Sequence, residues 1–205
     1  MDSFINWLKG KELNEMSPVK MRGNAPFESL DNESKSIDSM ESDFTKIGKI
    51  RDYSVFLHNK FEIIKVAKLF FDDVLKEERW AIIAEMSFKS EKIKSINKLI
   101  NNKKAIRLHT IHVRESNRRD GIASDLYNFL LSKDTIVISD SIQYEGAVKL
   151  WKSFTIIPGI VLYIWNEKED KIISKMTAKT HDNSVWNNGN LGDYSKMSTR
   201  LILMT

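Results

Sequence analysis

The 205-residue sequence contains no cysteine, only three prolines and no long apolar run. The absence of cysteine excludes disulfides, thiolate metal sites and a cysteine nucleophile, and it fits a reducing compartment. No apolar stretch approaches the ~20 residues that a membrane-spanning helix requires, so we expect no membrane partner. Residues 1–15 lack the basic and long apolar segments of a signal peptide, which favours a cytoplasmic location.

What the chain does contain is a balance of hydrophobic (41%) and charged (29%) residues, enough for one soluble domain with a core. The net charge is +4, which dispersed surface lysines explain; an anionic cofactor or a nucleic acid is the sharper interpretation. Lys, Ile, Asn and Ser are abundant. This bias suggests an AT-rich genome, compatible with a phage or a low-GC bacterium.

Apolar spacing along the chain predicts an α/β fold. Residues 1–15 have the spacing of a short amphipathic helix. Residues 16–50 hold two of the three prolines and few apolar residues, so we expect an irregular arm there. We therefore divide the chain into an N-terminal arm, 1–50, and a folded domain, 51–205.

Within that domain, an extra strand is expected at the C-terminus, and the segments 155–165 and 172–179 are expected to form a hairpin. Predicted strands lie at 53–58, 79–90, 105–113, 134–140, 155–165, 172–179 and 198–204, and predicted helices at 61–78, 91–101, 121–132 and 145–154.

One strand–turn–helix stretch, residues 111–130, has the chemistry of an anion site. Two arginines, Arg118 and Arg119, precede Gly121 where the strand gives way to the helix. The first amides of a helix have no partner within it, and the helix dipole is positive there. Gly121 can adopt positive φ, and Ala123 adds little bulk. The sequence therefore predicts an anion-binding turn.

The segment 110–131 resembles the core motif of the GNAT N-acetyltransferase superfamily, in which a strand leads into R/Q-x-x-G-x-G/A and a helix. The match here is Arg118-x-x-Gly121-x-Ala123. Residues 135–154 resemble the strand and helix that follow in the family, with Ala147 and Phe154 near the expected places.

The resemblance implies a mixed, partly splayed sheet flanked by helices, and an N-acyltransferase that uses acetyl-CoA as a substrate, with no metal. In the family, the pantetheine arm pairs with strand backbone, here near Ile111 and Val113, and the pyrophosphate lies on the amides of the turn. The implied CoA-binding residues are Ile111, Val113, Arg118, Arg119, Asp120, Gly121, Ile122, Ala123 and Tyr144.

Two positions depart from the family pattern. Trp151 stands where many members have a tyrosine that protonates the leaving thiolate, and an indole is no practical acid. Tyr144 stands at a common asparagine position. It is a candidate either for contact with the pantetheine or for the displaced acid.

The remaining catalytic candidates are His109, His112 and Glu85. A histidine titrates near neutral pH and suits a general base. The odd separation of His109 and His112 places them on opposite faces of the strand unless a bulge intervenes. Glu85 is a carboxylate inside an apolar strand and is the third candidate. Neither histidine has the spacing of a metal site.

The acceptor cannot be read from the chain: a small amine, a protein and a nucleic acid all remain open. The alternative to an enzyme is a GNAT-fold binding, inhibitor or virion-associated protein without catalysis. A third hypothesis, an acyl-CoA-dependent modifier of nucleic acid, rests on the basic charge and on Trp186 and Tyr194 in the polar loop 180–196. The N-terminal arm could hold a homodimer or a macromolecular partner.

Overall fold

A computed structural model describes residues 19–21, 30, 33–91, 103–140, 142–176 and 199–205. Over these residues the fold is mixed α/β, with three α-helices and a large, mostly antiparallel sheet. The strands are β1 (Val19–Met21), β2 (Ser34–Ser36), β3 (Phe44–Ile50), β4 (Tyr53–His58), β5 (Ile63–Asp72), β6 (Glu77–Glu91), β7 (Lys104–Val113), β8 (Thr135–Ile138), β9 (Ile142–Tyr144), β10 (Val161–Asn166), β11 (Lys171–Met176) and β12 (Thr199–Met204). The helices are α1 (Ile37–Asp43), α2 (Ile122–Ser132) and α3 (Glu145–Phe154), with a 3-10 turn at Glu115–Asn117.

The chain divides into two compact units. The first unit comprises residues 26–92 and 103–137, and the second comprises residues 1–25, 93–102 and 138–205. Across the described ranges, no helix is both long and apolar enough to cross a membrane.

In the first unit, the strands lie in the order β8-β7-β6-β5-β4-β3, and β2 pairs with β6. Neighbours from β3 to β7 are antiparallel. Helix α1 covers part of this sheet: Met40 and Phe44 pack with Phe56, Ala67 and Ile82 in one buried cluster. The side chain of Ser36 caps α1 by accepting a hydrogen bond from the Ser39 amide at 3.3 Å.

The predicted arm at 16–50 is wrong over residues 34–50, which form β2, α1 and β3. Its apolar residues are sparse, but Met40, Phe44 and Ile50 are buried and anchor the segment to the sheet. The division of the chain at residue 50 stays a prediction. The helices predicted at 1–15 and 91–101, apart from Glu91 at the end of β6, lie outside the described residues, as does the 180–196 loop.

The helix predicted at 61–78 is also wrong: residues 63–72 form β5 and reverse at a turn into β6. Residues 64–67, three apolar residues and Lys65, are buried consecutively, as in a strand covered on both faces. Because the apolar residues of this strand do not alternate with polar ones, their pattern mimics helical spacing. The Asp72 carboxylate accepts the amides of Val74 and Leu75 at 2.9 and 3.0 Å, which fixes the reversal.

In the second unit, β10 pairs antiparallel with both β11 and β12, and β1 pairs parallel with β9. The predicted hairpin and C-terminal strand are confirmed. Ser139, just after β8, donates its amide to the Leu201 carbonyl at 2.8 Å, and its hydroxyl accepts the Leu201 amide at 2.9 Å. Trp151 and Phe154 of α3 are fully buried and meet edge to face.

Candidate functional site

At the end of β7, main-chain groups point to the edge of the strand that faces away from β6. The Arg114 amide donates to the Ile83 carbonyl at 2.8 Å, and Ala84 stands opposite Val113. Arg114 and Ile83 are therefore a hydrogen-bonded pair of the antiparallel ladder. The next pair, Val113 and Ala84, exchanges no hydrogen bonds, so the N–H and C=O of Val113 point away from β6. The same alternation applies to Ile111. Both residues implied for pantetheine pairing therefore direct backbone groups to the other edge of the strand.

The turn after β7 ends in a left-handed glycine at the start of α2. Gly121 is the N-cap, at φ +81°, and no side chain caps the helix. The amides of Gly121, Ile122 and Ala123 have no hydrogen-bond acceptor within the described part of the chain. The Asp120 amide differs, because it donates to the Asn117 carbonyl at 3.3 Å. Three open amides at the positive end of an eleven-residue helix can receive an anion.

Arg118 and Arg119 are both exposed beside these amides. The Arg118 guanidinium turns back toward β7, with its Nε 3.4 Å from the Val113 carbonyl oxygen. Arg119 has a φ of +76°, a conformation that L-residues rarely adopt. The turn thus exposes two arginine residues directly before the open helix amides in the chain, and arginine suits charge-assisted contacts to phosphate.

A third arginine, Arg51, joins the turn from the β3–β4 connection, and no local pattern predicts its presence there. Its Nε lies 2.6 Å from the Asp125 carboxylate in the first turns of α2. Its Nη2 lies 3.0 Å from the position that a Cβ on Gly121 would occupy. Gly121 is therefore needed both for its φ and for the close approach of Arg51.

A row of ionisable residues crosses three neighbouring strands. Lys65 on β5 is directly opposite Glu85 on β6, which is directly opposite His112 on β7. The Lys65 ammonium is 2.9 Å from the Glu85 carboxylate and also binds Glu33. Lys65 is buried, whereas His112 and both carboxylates are partly buried. Directly opposite residues lie on one face of a sheet, and Glu33 joins them through its ion pair with Lys65, so the four groups form a single acid–base cluster.

Burial is the main influence on the two basic groups of this cluster. It lowers the pKa of His112 from its ordinary value of 6.5, against the pull of the Glu85 carboxylate and with a further lowering by Arg118. Burial also opposes the charge of Lys65, but the hydrogen bonds and charges of Glu33 and Glu85 outweigh it and raise its pKa above 10.5. At neutral pH, His112 is thus a neutral base beside a permanent cation and its carboxylates.

The structure separates the two histidines. The β6–β7 register shifts between Ser87 and Phe88: Thr110 is opposite Ser87, and Leu108 is opposite Phe88. His109 is the extra residue of this bulge and is exposed. The prediction that the two histidines lie on opposite faces applied only to a strand without a bulge. In the observed register, His112 is the residue opposite Glu85, and His109 is not.

The remaining candidates belong to the second unit. Tyr144 ends β9, where it is the register partner of Met21. Trp151, which the resemblance compares with a tyrosine, is fully buried and packs against Phe154. It is therefore a core residue of α3 in this chain.

Sequence reasoning missed Arg51, Glu33 and Lys65. Glu33 and Arg51 lie in or beside the segment that was expected to be irregular, and Lys65 lies in the expected helix. Alternation of polar and apolar residues around Lys65 would have indicated a strand. The neighbours of Lys65 are apolar on both sides, so no such alternation is visible.

Among the side chains that the structure describes, no group of three or more His, Asp or Glu could hold a metal ion. In comparisons with known proteins, the chain matches no family model, no curated protein and no solved structure.

Proposed function

We propose that the chain is an N-acyltransferase that transfers an acetyl group from acetyl-CoA to an amine, and that it is a divergent member of the GNAT superfamily. The observation that carries this proposal is the turn at Gly121. Its open amides and two of its arginines follow a strand whose Val113 main-chain groups point away from β6, and Arg51 joins the turn from the β3–β4 connection. An extended, hydrogen-bonding ligand ending in phosphates fits both parts.

Two parts of CoA, the pantetheine arm and the pyrophosphate, have complementary groups in this proposal. The amide groups of the pantetheine arm pair with the main chain of Ile111 and with the Val113 carbonyl, as an added strand would. The pyrophosphate lies on the amides of Gly121, Ile122 and Ala123, which carry the positive end of the helix dipole. The arginines of the turn add charge-assisted hydrogen bonds.

His112 is the general base of the proposed reaction. Its lowered pKa keeps it neutral near pH 7, and Glu85 stabilises the imidazolium once a proton arrives. The acceptor amine loses a proton to a ring nitrogen of His112 and attacks the thioester carbonyl carbon. As the C–N bond forms and the C–S bond breaks, the Val113 amide is the donor to the oxyanion, and the proton leaves with the thiolate as CoA.

Two features set this chain apart from the usual pattern. The sheet is larger than that of a typical GNAT protein. The buried Trp151 cannot protonate the thiolate, so the proposal returns the proton from His112 instead. The proposal also includes a splayed opening of the sheet beside β7. In it, Tyr144 either contacts the pantetheine or serves as the displaced acid, and the acceptor is to be found by assay.

The test is an assay of CoA release and acetylated product on a panel of primary amines: a polyamine, a lysine peptide and an amino sugar. His112→Gln should slow turnover by about 10²–10⁴-fold. His109→Gln, the same change at the exposed bulge, should leave turnover near wild type. Acetyl-CoA binding without product on any amine would favour the non-catalytic alternative. Equal loss in the two variants would reject His112 as the base.

A further inference from the structure

The outer half of β5 is an uncovered sheet edge. Strand β4 pairs with β5 only from Ile64 to Ala67, so Lys68–Asp72 have no strand beside them on that edge within the described residues. Their other edge is occupied, because β6 pairs with β5 as far as Asp72. An exposed strand edge presents unpaired N–H and C=O groups that readily accept another strand.

This edge also carries apolar side chains. Phe71 is 56% exposed, and Leu69 and Phe70 are exposed as well, as are Val74 and Leu75 in the adjoining turn. A cluster of large apolar residues at one hairpin tip is typical of a protein-binding surface. The edge and the apolar residues together indicate a partner that adds a strand.

The main-chain geometry limits the register of such a strand. The Phe88 amide donates to the Glu62 carbonyl at 3.0 Å, with Ile63 opposite Ser87. Successive residues of β5 point their N–H and C=O groups to alternate edges of the strand, and Glu62 points toward β6. The backbone groups of Leu69 and Phe71 therefore point to the free edge, and those of Phe70 point to β6. A new antiparallel strand must therefore exchange hydrogen bonds with Leu69 and Phe71.

The segment Lys68–Asp72, with the sequence Lys-Leu-Phe-Phe-Asp, is complementary to itself. In an antiparallel pair centred on Phe70, Leu69 of each copy is opposite Phe71 of the other, so the outward backbone groups meet. Lys68 is then opposite Asp72 on both sides of the two-fold axis. Opposite charges on directly opposed residues stabilise a strand pair, and like charges destabilise it.

We propose that Lys68–Asp72 form a homodimer interface, in which β5 pairs antiparallel with β5 of a second copy and Phe70 faces Phe70. The contact is isologous: the same patch serves both copies, as a two-fold dimer requires. Within one chain, Lys68 also binds Asp52 at 2.9 Å, an exposed ion pair of small energetic weight. The proposal is independent of the acyltransferase proposal.

Analytical ultracentrifugation of the full chain, from low to high micromolar concentration, tests the dimer. Wild type should show a reversible monomer–dimer equilibrium. Lys68→Asp places two pairs of carboxylates face to face and should raise the dissociation constant about tenfold or more. Asp72→Lys should do the same with two pairs of ammonium groups.

An equimolar mixture of the two variants is the decisive arm, because charge complementarity returns only in the mixed pair. The mixture should dimerise nearly as tightly as wild type, even if each variant loosens its own hairpin. Phe71→Ser should weaken the dimer, whereas Ile173→Ser, at a residue with the same 56% exposure, should not. A monomeric wild type, a dimer unaffected by Lys68→Asp, or a mixture no tighter than its components would overturn the proposal.

Discussion

Replacing Gly121 with alanine tests whether the turn before α2 is a ligand site or only a helix start. The φ of +81° is left-handed, and a non-glycine residue there loses about 1–2 kcal/mol. The new Cβ would lie 3.0 Å from Nη2 of Arg51, the end of a flexible side chain that can move aside. For a chain of this length, that loss lowers the melting temperature by roughly 2–8 °C.

The effect on ligand binding should exceed the effect of strain. The methyl group crowds the open amides and displaces Arg51, so at least one charge-assisted contact to the pyrophosphate is lost. A hydrogen bond to a charged group contributes about 1.5–3 kcal/mol, which corresponds to tenfold or more in affinity. Isothermal titration with acetyl-CoA measures this change, and a thermal melt measures the strain.

Gly159→Ala is the matched control. Gly159 has a φ of +80°, and no heavy atom lies within 4 Å of the position of its Cβ. This variant should lose about the same stability as Gly121→Ala, again roughly 1–2 kcal/mol, and keep wild-type affinity for acetyl-CoA. Unchanged affinity in Gly121→Ala, or an equal loss in both variants, would refute the assignment of the turn.

Three further predictions concern the other groups of the site. Turnover should rise with pH through the lowered pKa of His112 and then level off, because only the neutral imidazole accepts a proton; His112→Gln should remove that rise and slow CoA release by about 10²–10⁴-fold. Lys65→Met should reduce the free energy of unfolding in urea by about 2–3 kcal/mol, less than a fully buried pair loses, because its carboxylate partners are partly exposed. The raised pKa of Lys65 means that this stabilisation is fully present below pH 10.5 and is lost as pH rises through the folded-state pKa. Arg51→Ala removes a half-exposed ion pair, so stability should change by about 1 kcal/mol or less, while acetyl-CoA affinity should fall about tenfold in a titration.

Each of these has a contrary outcome. A pH profile shared by wild type and His112→Gln would assign the titration to another group. A Lys65→Met variant as stable as wild type in neutral urea would mean that the cluster contributes no stability. Wild-type affinity in Arg51→Ala would leave the phosphates to the other two arginines.

Local features of this chain could be predicted from sequence, and the anion turn is the best example. Strand β7, the turn and α2 follow one another directly, so the glycine, the arginines and the helix start are all visible in one stretch. The open amides of Gly121–Ala123 follow from the physics of any helix start without a cap. Arg51 could not be found in this way, because it reaches the turn from another part of the chain.

The β5–β6 hairpin shows where sequence reasoning failed. Ile63, Val66, Ala67 and Phe70 have helical spacing, yet burial of residues 64–67 in succession requires a sheet covered on both faces. That environment comes from the tertiary fold, in which β5 lies inside the sheet between β4 and β6, and neither strand pairing nor the covering of a sheet face is encoded in local periodicity. Lys65 consequently went unnoticed as the cation between two carboxylates.

The bulge at His109 is a second feature that depends on strand pairing and not on local sequence. From the sequence, His109 and His112 are both candidates for the base. One extra residue in β7 moves the register, and His112 becomes the neighbour of Glu85. The position of a bulge depends on pairing with the partner strand. The sequence therefore allowed for a bulge in β7 but could not show where it lies.

The most direct test of the acyltransferase account is a titration of acetyl-CoA into wild type and Arg118→Glu. The account predicts saturable binding to wild type and a clear loss of affinity in the variant, which exchanges a phosphate contact for repulsion. Because Arg118 is exposed and its ion pair with Glu115 is long, 3.9 Å, the change should leave the fold intact. No binding to wild type at millimolar acetyl-CoA, or equal binding to both proteins, would contradict it.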